Sequence, residues 1–330
     1  MKVTFRPPNF ECQVSLKYSA AKKKKKEWVL CYAPDEDQAR KLLDELNYDT
    51  YQVRPHDFET GWRREARKEL KKADNAVKSA IAAGRKPIYE GQTPDYEFNE
   101  GLWKKLRVHL VWLFHNKCAY CQIYLGNDVR VSQIEHYRPK SAVDGEPNHP
   151  GYWWLAYEPT NYLPSCKICN GYVKGNQFPM MEGSQYISII TADLQNESAP
   201  VDLYRDLAVE QPVIINPFQD DPDDYLDFLP VGKCSPGAVD CPGTALPKND
   251  RGKKEIELMK FNANSMLLQR RREIQGIVYH ALLDSIGRDN VEAAARLIQD
   301  IKEGNQEFYT AAKAEVRDYY KRWGMPDPFQ

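Results

Sequence analysis

The sequence predicts an α+β chain, mostly helical, with a small α/β unit at its N-terminus and a cysteine-framed central region. Three observations lead there: strand-like alternation in short runs near the front, helical periodicity over several longer stretches, and two C-x2-C pairs in the middle. With 330 residues and 42% apolar content, the chain has material for two domains or one elaborated domain. No stretch approaches the roughly 18 to 20 consecutive apolar residues of a membrane span. The opening "MKVTFRPPNFECQ" lacks the apolar core of a secretory signal, so the expected address is the cytoplasm.

Residues 1–57 form the α/β unit. "ECQVSLKYSA" and "EWVLCYA" are strand-like, "DEDQARKLLDELN" is helical with a start at Pro34 and Asp35, and "TYQV" returns to strand. Lys22 to Lys26 stand between the first two strands, as a solvated hairpin tip or a phosphate contact. Residues 58–117 are helical and basic. A first helix over 59–83, stopped by Gly84 and Pro87, crowds Arg63, Arg64, Arg67, Lys68, Lys71 and Lys72 into three turns. That face either tracks phosphates or is solvated, with Glu65 and Glu69 as partners within the helix. A second helix, "EGLWKKLRVHLVWLFHN", lines up Leu102, Trp103, Leu106, Leu110, Leu113 and Phe114 as a core stripe and delivers the chain to Cys118. Residues 118–180 are the central region. From 181 to 330 the chain is first loop-rich with short strands, then helical at about 262–285, 290–303 and 306–323.

The formal net charge of −1 hides an asymmetry, because residues 1–130 hold 25 Lys/Arg against 18 Asp/Glu while residues 181–250 hold 3 against 13. A polyanion is therefore expected to meet the front half.

Cys118 and Cys121 form one pair and Cys166 and Cys169 the other, with 44 residues between them. Two such pairs can close a tetrahedral Zn2+ site, since each bites the metal from one tight turn; the alternative is four buried free cysteines. A four-cysteine site has no open coordination position, so its zinc would hold structure rather than do chemistry. Cys12 and Cys31 are expected in the core, and Cys234 and Cys241 carry no assignment. The enclosed stretch contains Glu135, His136, Asn148, His149 and Asn161; Asn170 follows the last cysteine directly, and Lys174 and Gly175 come soon after.

In this order of residues the chain resembles the HNH endonucleases, also called His-Me finger or ββα-metal nucleases, in their zinc-supported form. The resemblance implies a ββα-metal finger over 118–180. It makes His136, preceded by Glu135, the general base, and matches the family's middle Asn to Asn161 and its final His or Asn to Asn170. Such chemistry suits these side chains: imidazole activates water near neutral pH, and carboxylate and amide oxygens such as those of Glu135 and Asn170 hold Mg2+ or Mn2+. Asn161 is expected to brace the loop that orients His136. Lys174 and Arg138 are candidates for a contact to the scissile phosphate, and Arg64, Arg67, Lys68 and Lys71 for contacts to the backbone of the substrate. His149, within Pro-Asn-His-Pro-Gly, is expected in a loop, and Trp153, Trp154 and Tyr157 are expected to pack on the finger rather than stack bases.

A narrower resemblance, over roughly 100–285, is to HNH proteins of retrons and Septu-type antiphage systems, through "IEHYRPKS", "YWWLAYEPTNYLPSCKICNGYVKGNQFP" and "INPFQDDPDDYLDF" with "FNANSMLLQRR". It implies a DNA-cleaving effector paired with an ABC-like ATPase. RNA cleavage, or a zinc-ribbon protein that grips nucleic acid without cutting it, are the alternatives.

Overall fold

A computed structural model describes residues 2–17, 25–83, 96–126, 132–146, 149–187, 207–233, 242–287 and 291–330. Lys22 to Lys24, Asn148, Cys234 and Cys241, all singled out above, lie outside the described residues. The architecture is α+β, with helices and, among the described residues, three small antiparallel sheets. No helix among the described residues is long and apolar enough to cross a membrane. The chain divides into an N-terminal unit, Thr4–Asn116 with Leu125–Pro212, and a C-terminal unit, Met1–Val3 with Lys117–Tyr124 and Val213–Gln330.

In the N-terminal unit, β1 (Phe10–Leu16) is the central strand, flanked by β2 (Glu27–Cys31) and β3 (Tyr48–Pro55) in the order β2-β1-β3. Alternation places Cys12 and Val14 on one face of the sheet, where Val29 of β2 lies opposite Cys12; all three are buried, as are Ala39 and Leu43 of α1 (Glu36–Glu45). Asp35 caps α1 by accepting from Gln38 N at 2.8 Å. Cys12 and Cys31 are buried with their sulfurs 3.7 Å apart, as thiols of the core.

A wide π-turn, Glu59–Arg63, then opens α2 (Arg64–Ala82). Gly61 is required there: a Cβ would stand 2.5 Å from the His56 ring. Small residues at helical spacing, Ala66, Ala73, Val77 and Ala80, face inward, and Trp62 donates to Leu102 O at 2.9 Å. The expected second helix is two: α3 (Glu100–Lys105) and α4 (Arg107–Leu113), separated at Leu106 by a turn in which its N–H reaches Trp103 O at 3.0 Å. After α4 the chain reverses through His115 and Asn116, both with φ above +50°. Later come β4 (Gln133–His136) and β5 (Tyr162–Ser165), paired antiparallel, and a second π-turn, Ile168–Lys174.

The C-terminal unit joins β6 (Leu226–Phe228) to β7 (Ala245–Pro247) and packs α5 (Asp250–Leu258), α6 (Ser265–Gly287), α7 (Val291–Lys302) and α8 (Tyr309–Arg322). Val278, Leu282, Ile301, Ala311 and Val316 form its core. Sequence periodicity did not indicate α5, whose signal is the Asn249 cap on Gly252 N at 2.9 Å. The segment around the first cysteine pair is tied into this unit. Lys117, almost fully buried, donates to Gly304 O, and Gln122 exchanges hydrogen bonds with Thr310.

Candidate active site

Strand β4 carries two candidate residues in succession, so their side chains leave on opposite faces. Glu135 lies opposite Leu163 and His136 opposite Tyr162. Both are 7% exposed.

Glu135 Oε1 accepts from Lys174 Nζ at 2.5 Å, and the same ammonium donates to His136 O and Gly175 O at 3.2 Å each. An ammonium has three donors, so that of Lys174 is fully used; its side chain is 0% exposed. Burial pushes the Glu135 carboxyl upward against the opposing pull of Lys174. The pair clamps the end of β4 to the π-turn 168–174. Breaking it on one side would leave a buried charge, an effect of about 3–5 kcal/mol.

His136 Nε2 is 3.0 Å from Ala156 O. A carbonyl oxygen only accepts, so Nε2 carries the proton and Nδ1 keeps its lone pair. The ring sits edge-on between Trp103 (4.9 Å between centroids) and Tyr162 (5.1 Å), while Tyr162 Oη donates to the same Ala156 O at 2.6 Å. Burial, with the charges of Lys140 and Lys174, pushes the imidazolium pKa down to about 3. The ring is thus a neutral base of fixed tautomer.

Asn161 spans the loop behind this histidine. Its Oδ1 accepts from Arg138 N at 2.8 Å, and its Nδ2 donates to Arg138 O at 3.1 Å and Leu155 O at 3.3 Å. Its backbone carbonyl accepts from Tyr137 N at 2.8 Å. On the far side of the same loop, Tyr152 N donates to Pro139 O at 2.7 Å, and Gly151, at φ +85°, lies so close to Ser141 that a Cβ would meet its carbonyl oxygen at 2.1 Å. His149 is buried in that turn, its Nδ1 accepting from Gly151 N at 3.0 Å. Trp153, Trp154 and Tyr157 are buried too. Asn170 stands in the π-turn, half-buried, with its side-chain amide free of hydrogen bonds among the described residues.

The basic residues separate into two groups. Arg138 is buried, its Nε donating to Glu210 Oε2 at 2.9 Å, and Lys174 is enclosed as described. The charge of each is taken up by a carboxylate distant in sequence. Arg64, Arg67, Lys68 and Lys71 are exposed along one side of α2. Arg67 pairs with Glu59 at 3.2 Å; among the described residues the other three make no ion pair. Arg63 Nη1 reaches Glu158 Oε2 at 3.0 Å and ties this helix to the β4-β5 region.

The four sulfurs of Cys118, Cys121, Cys166 and Cys169 lie within 4.8 Å of one another. A tetrahedral zinc with bonds of about 2.3 Å asks for sulfurs roughly 3.8 Å apart, so a small contraction brings the set onto the metal. Both pairs sit in tight turns: Gln122 N donates to Cys118 O at 3.0 Å, and Cys169 N points at Cys166 Sγ at 3.4 Å. Four cysteines so placed can hold a zinc ion.

No protein-family profile matches the chain, and no solved structure matches it. A 124-residue stretch is 34% identical to the Septu protein PtuB of Bacillus mycoides (strain KBAB4), covering 36% of this chain and 37% of that protein. A 72-residue stretch is 36% identical to the Septu protein PtuB of Bacillus thuringiensis, covering 21% and 24% respectively. The chain therefore spans a little over a third of the first of these curated relatives and about a quarter of the second.

Proposed function

We propose that this chain is a metal-dependent HNH endonuclease that hydrolyses DNA phosphodiester bonds as the effector of a Septu-type antiphage system. The observation that carries the reading is His136: a buried imidazole, neutral, with Nε2–H fixed on Ala156 O and Nδ1 left as the base. The fixed tautomer leaves Nδ1 a lone pair to take a proton from water, and because a pKa of about 3 makes a weak base, the reading requires a bound phosphate to raise the proton affinity of the ring towards neutrality. Asn161 holds the loop that presents it, and the Lys174–Glu135 clamp fixes the strand end, so both are positioning residues.

Glu135, through the oxygen not taken by Lys174, and Asn170, through its free amide, would hold Mg2+ or Mn2+. When bound, that ion supplies charge neutralisation at the scissile phosphate and the leaving oxygen. Cys118, Cys121, Cys166 and Cys169 would hold a separate, structural Zn2+. The likeness to proteins named Septu protein PtuB supports the defence reading, and with it an ABC-like ATPase as partner.

The decisive experiment sets plasmid nicking beside tRNA digestion, each with Mg2+, Mn2+ or chelator. DNA is cut and His136→Ala lowers the rate by about 10²-fold or more while the protein still binds DNA. Asn170→Ala loses activity that added metal partly restores. A His136→Ala protein that cuts at the unmodified rate would sink the mechanism, and cutting of tRNA alone would move the substrate to RNA.

A further inference from the structure

Three cations surround the candidate base, and two of them are consumed internally: Arg138 by Glu210 and Lys174 by Glu135 and two carbonyls. Lys140 is different. It is half-buried, and among the described residues its ammonium makes no hydrogen bond and has no carboxylate at ion-pair distance. Instead the Nζ lies over the faces of Phe98 and Trp103, 5.9 and 5.8 Å from the ring centroids. Trp103 is also the ring that meets His136 edge-on at 4.9 Å. One indole therefore carries the ammonium and abuts the imidazole.

We propose that Lys140 is the cation that contacts the scissile phosphate at this site, in the place first expected of Arg138 and Lys174. The assignment rests on the nuclease reading above and deepens it. A cation partly removed from water beside a base is unfavourable in the free protein. Burial lowers its proton affinity, with Glu135 and Glu100 opposing from beyond contact distance, and its charge in turn makes His136 harder to protonate. The two aromatic faces compensate only in part, since a cation–π contact contributes about 0.5–2 kcal/mol. An arriving phosphate supplies the anion that the fold does not. The rigid aromatic seat also keeps the charge where negative charge grows during attack, the arrangement that accelerates phosphoryl chemistry most.

The test uses the full chain with Lys140→Met, which keeps the stem on the rings and removes the charge, and Lys140→Arg, which keeps the charge. Lys140→Met should melt as the unmodified protein does but cut plasmid DNA about 10- to 100-fold more slowly, while Lys140→Arg stays within a few-fold. In a His136→Ala background, Lys140→Met should weaken binding of a short DNA duplex and reduce the slope of log affinity against log salt by about one contact. Unchanged cutting and an unchanged salt slope would overturn the proposal, as would equal defects in the Met and Arg variants, which point to packing. If the unmodified chain cuts no nucleic acid, the nuclease reading fails by itself. The duplex-binding arm still decides whether Lys140 meets phosphate.

Discussion

The two units differ in the groups that burial keeps neutral, although Glu135 shows that the N-terminal unit also buries a carboxyl. In the N-terminal unit they include four histidines: His56, His109, His136 and His149 are all held below the ordinary imidazole range, in each case mainly by burial. In the C-terminal unit they are carboxyls, Glu255 pushed up to about 8 and Glu315 to about 7, again by burial. Neutral imidazole is a base in waiting, whereas a carboxyl held by backbone N–H groups, Ile215 for Glu255 and Val231 for Glu315, is a strut. The difference is one of sign: falling pH charges the buried imidazoles of the N-terminal unit, and rising pH charges the buried carboxyls of the C-terminal unit.

Acid should separate the units most. His136 and His109 have folded-state pKa values near 3 and 4, below an unfolded value of about 6.5. Their contribution to stability is fully present above pH ~6.5 and is lost as pH falls through the folded values, by several kcal/mol at the limit. Hydrogen exchange should therefore show α4 and β4 opening between about pH 6 and 4 while α5 and α8 stay protected. His109→Phe, which preserves the aromatic packing on Phe5 and Trp112, should make the acid limb shallower by one proton. If both units lose protection together and the variant changes nothing, the contrast between them is false.

The next effect in size is Lys174→Met. It strands Glu135 in a buried site, and a broken buried pair costs about 3–5 kcal/mol. Thermal unfolding of the single variants and of Lys174→Met with Glu135→Gln should show the double change to be milder than Lys174→Met alone. Additive losses would mean that the clamp is not a pair.

Much of this was legible in the residues, and what was not has a physical reason. Strand alternation and the Asp35 cap mark the N-terminal sheet and α1, because local propensity and local capping act within a few residues. The order of cysteines, Glu-His and two Asn brought the candidate site residues into view. Burial of the cations was not legible. Arg138 finds Glu210 72 residues away and Lys174 finds Glu135 39 residues back; a basic residue in sequence looks the same whether its partner is water or a distant carboxylate. Lys117 meeting Gly304 across 187 residues, and the first cysteine pair joining the C-terminal helices, were invisible for the same reason. Lys140 was passed over because nothing local marks a cation whose partners are ring faces.

A smaller effect should come from Glu255→Gln. The carboxyl's folded value, about 8, lies above the unfolded ~4.3. Its contribution is therefore present at low pH and fades as pH rises through 8. Glutamine does not titrate, so the variant should lose about 3 kcal/mol less than the unmodified protein between pH 5 and 8. Denaturant midpoints at the two pH values would show it; parallel midpoints would mean that Glu255 is ionised when folded.

The smallest effect on the fold should come from the exposed stripe of α2, and that smallness is what makes it a clean probe of the substrate. Arg64, Arg67, Lys68 and Lys71 point to solvent and make at most the one pair with Glu59. Changing all four to Gln should shift stability by no more than about 0.5 kcal/mol, since exposed ion pairs contribute little. If the stripe follows a nucleic-acid backbone, each contact releases counterions, so log affinity should lose up to roughly 0.9 of its salt slope per contact on duplex DNA. Affinity should then fall similarly for any DNA sequence, while the rate at saturating substrate stays put, because among the described residues none of the four pairs with a residue of the β4-β5 region. The stripe and the finger would thus divide the work, sequence-independent capture on α2 and chemistry beside His136. Unchanged affinity and slope would leave α2 a solvated or partner-facing helix, and a fall in the saturated rate would mean that its charges act on the chemical step after all.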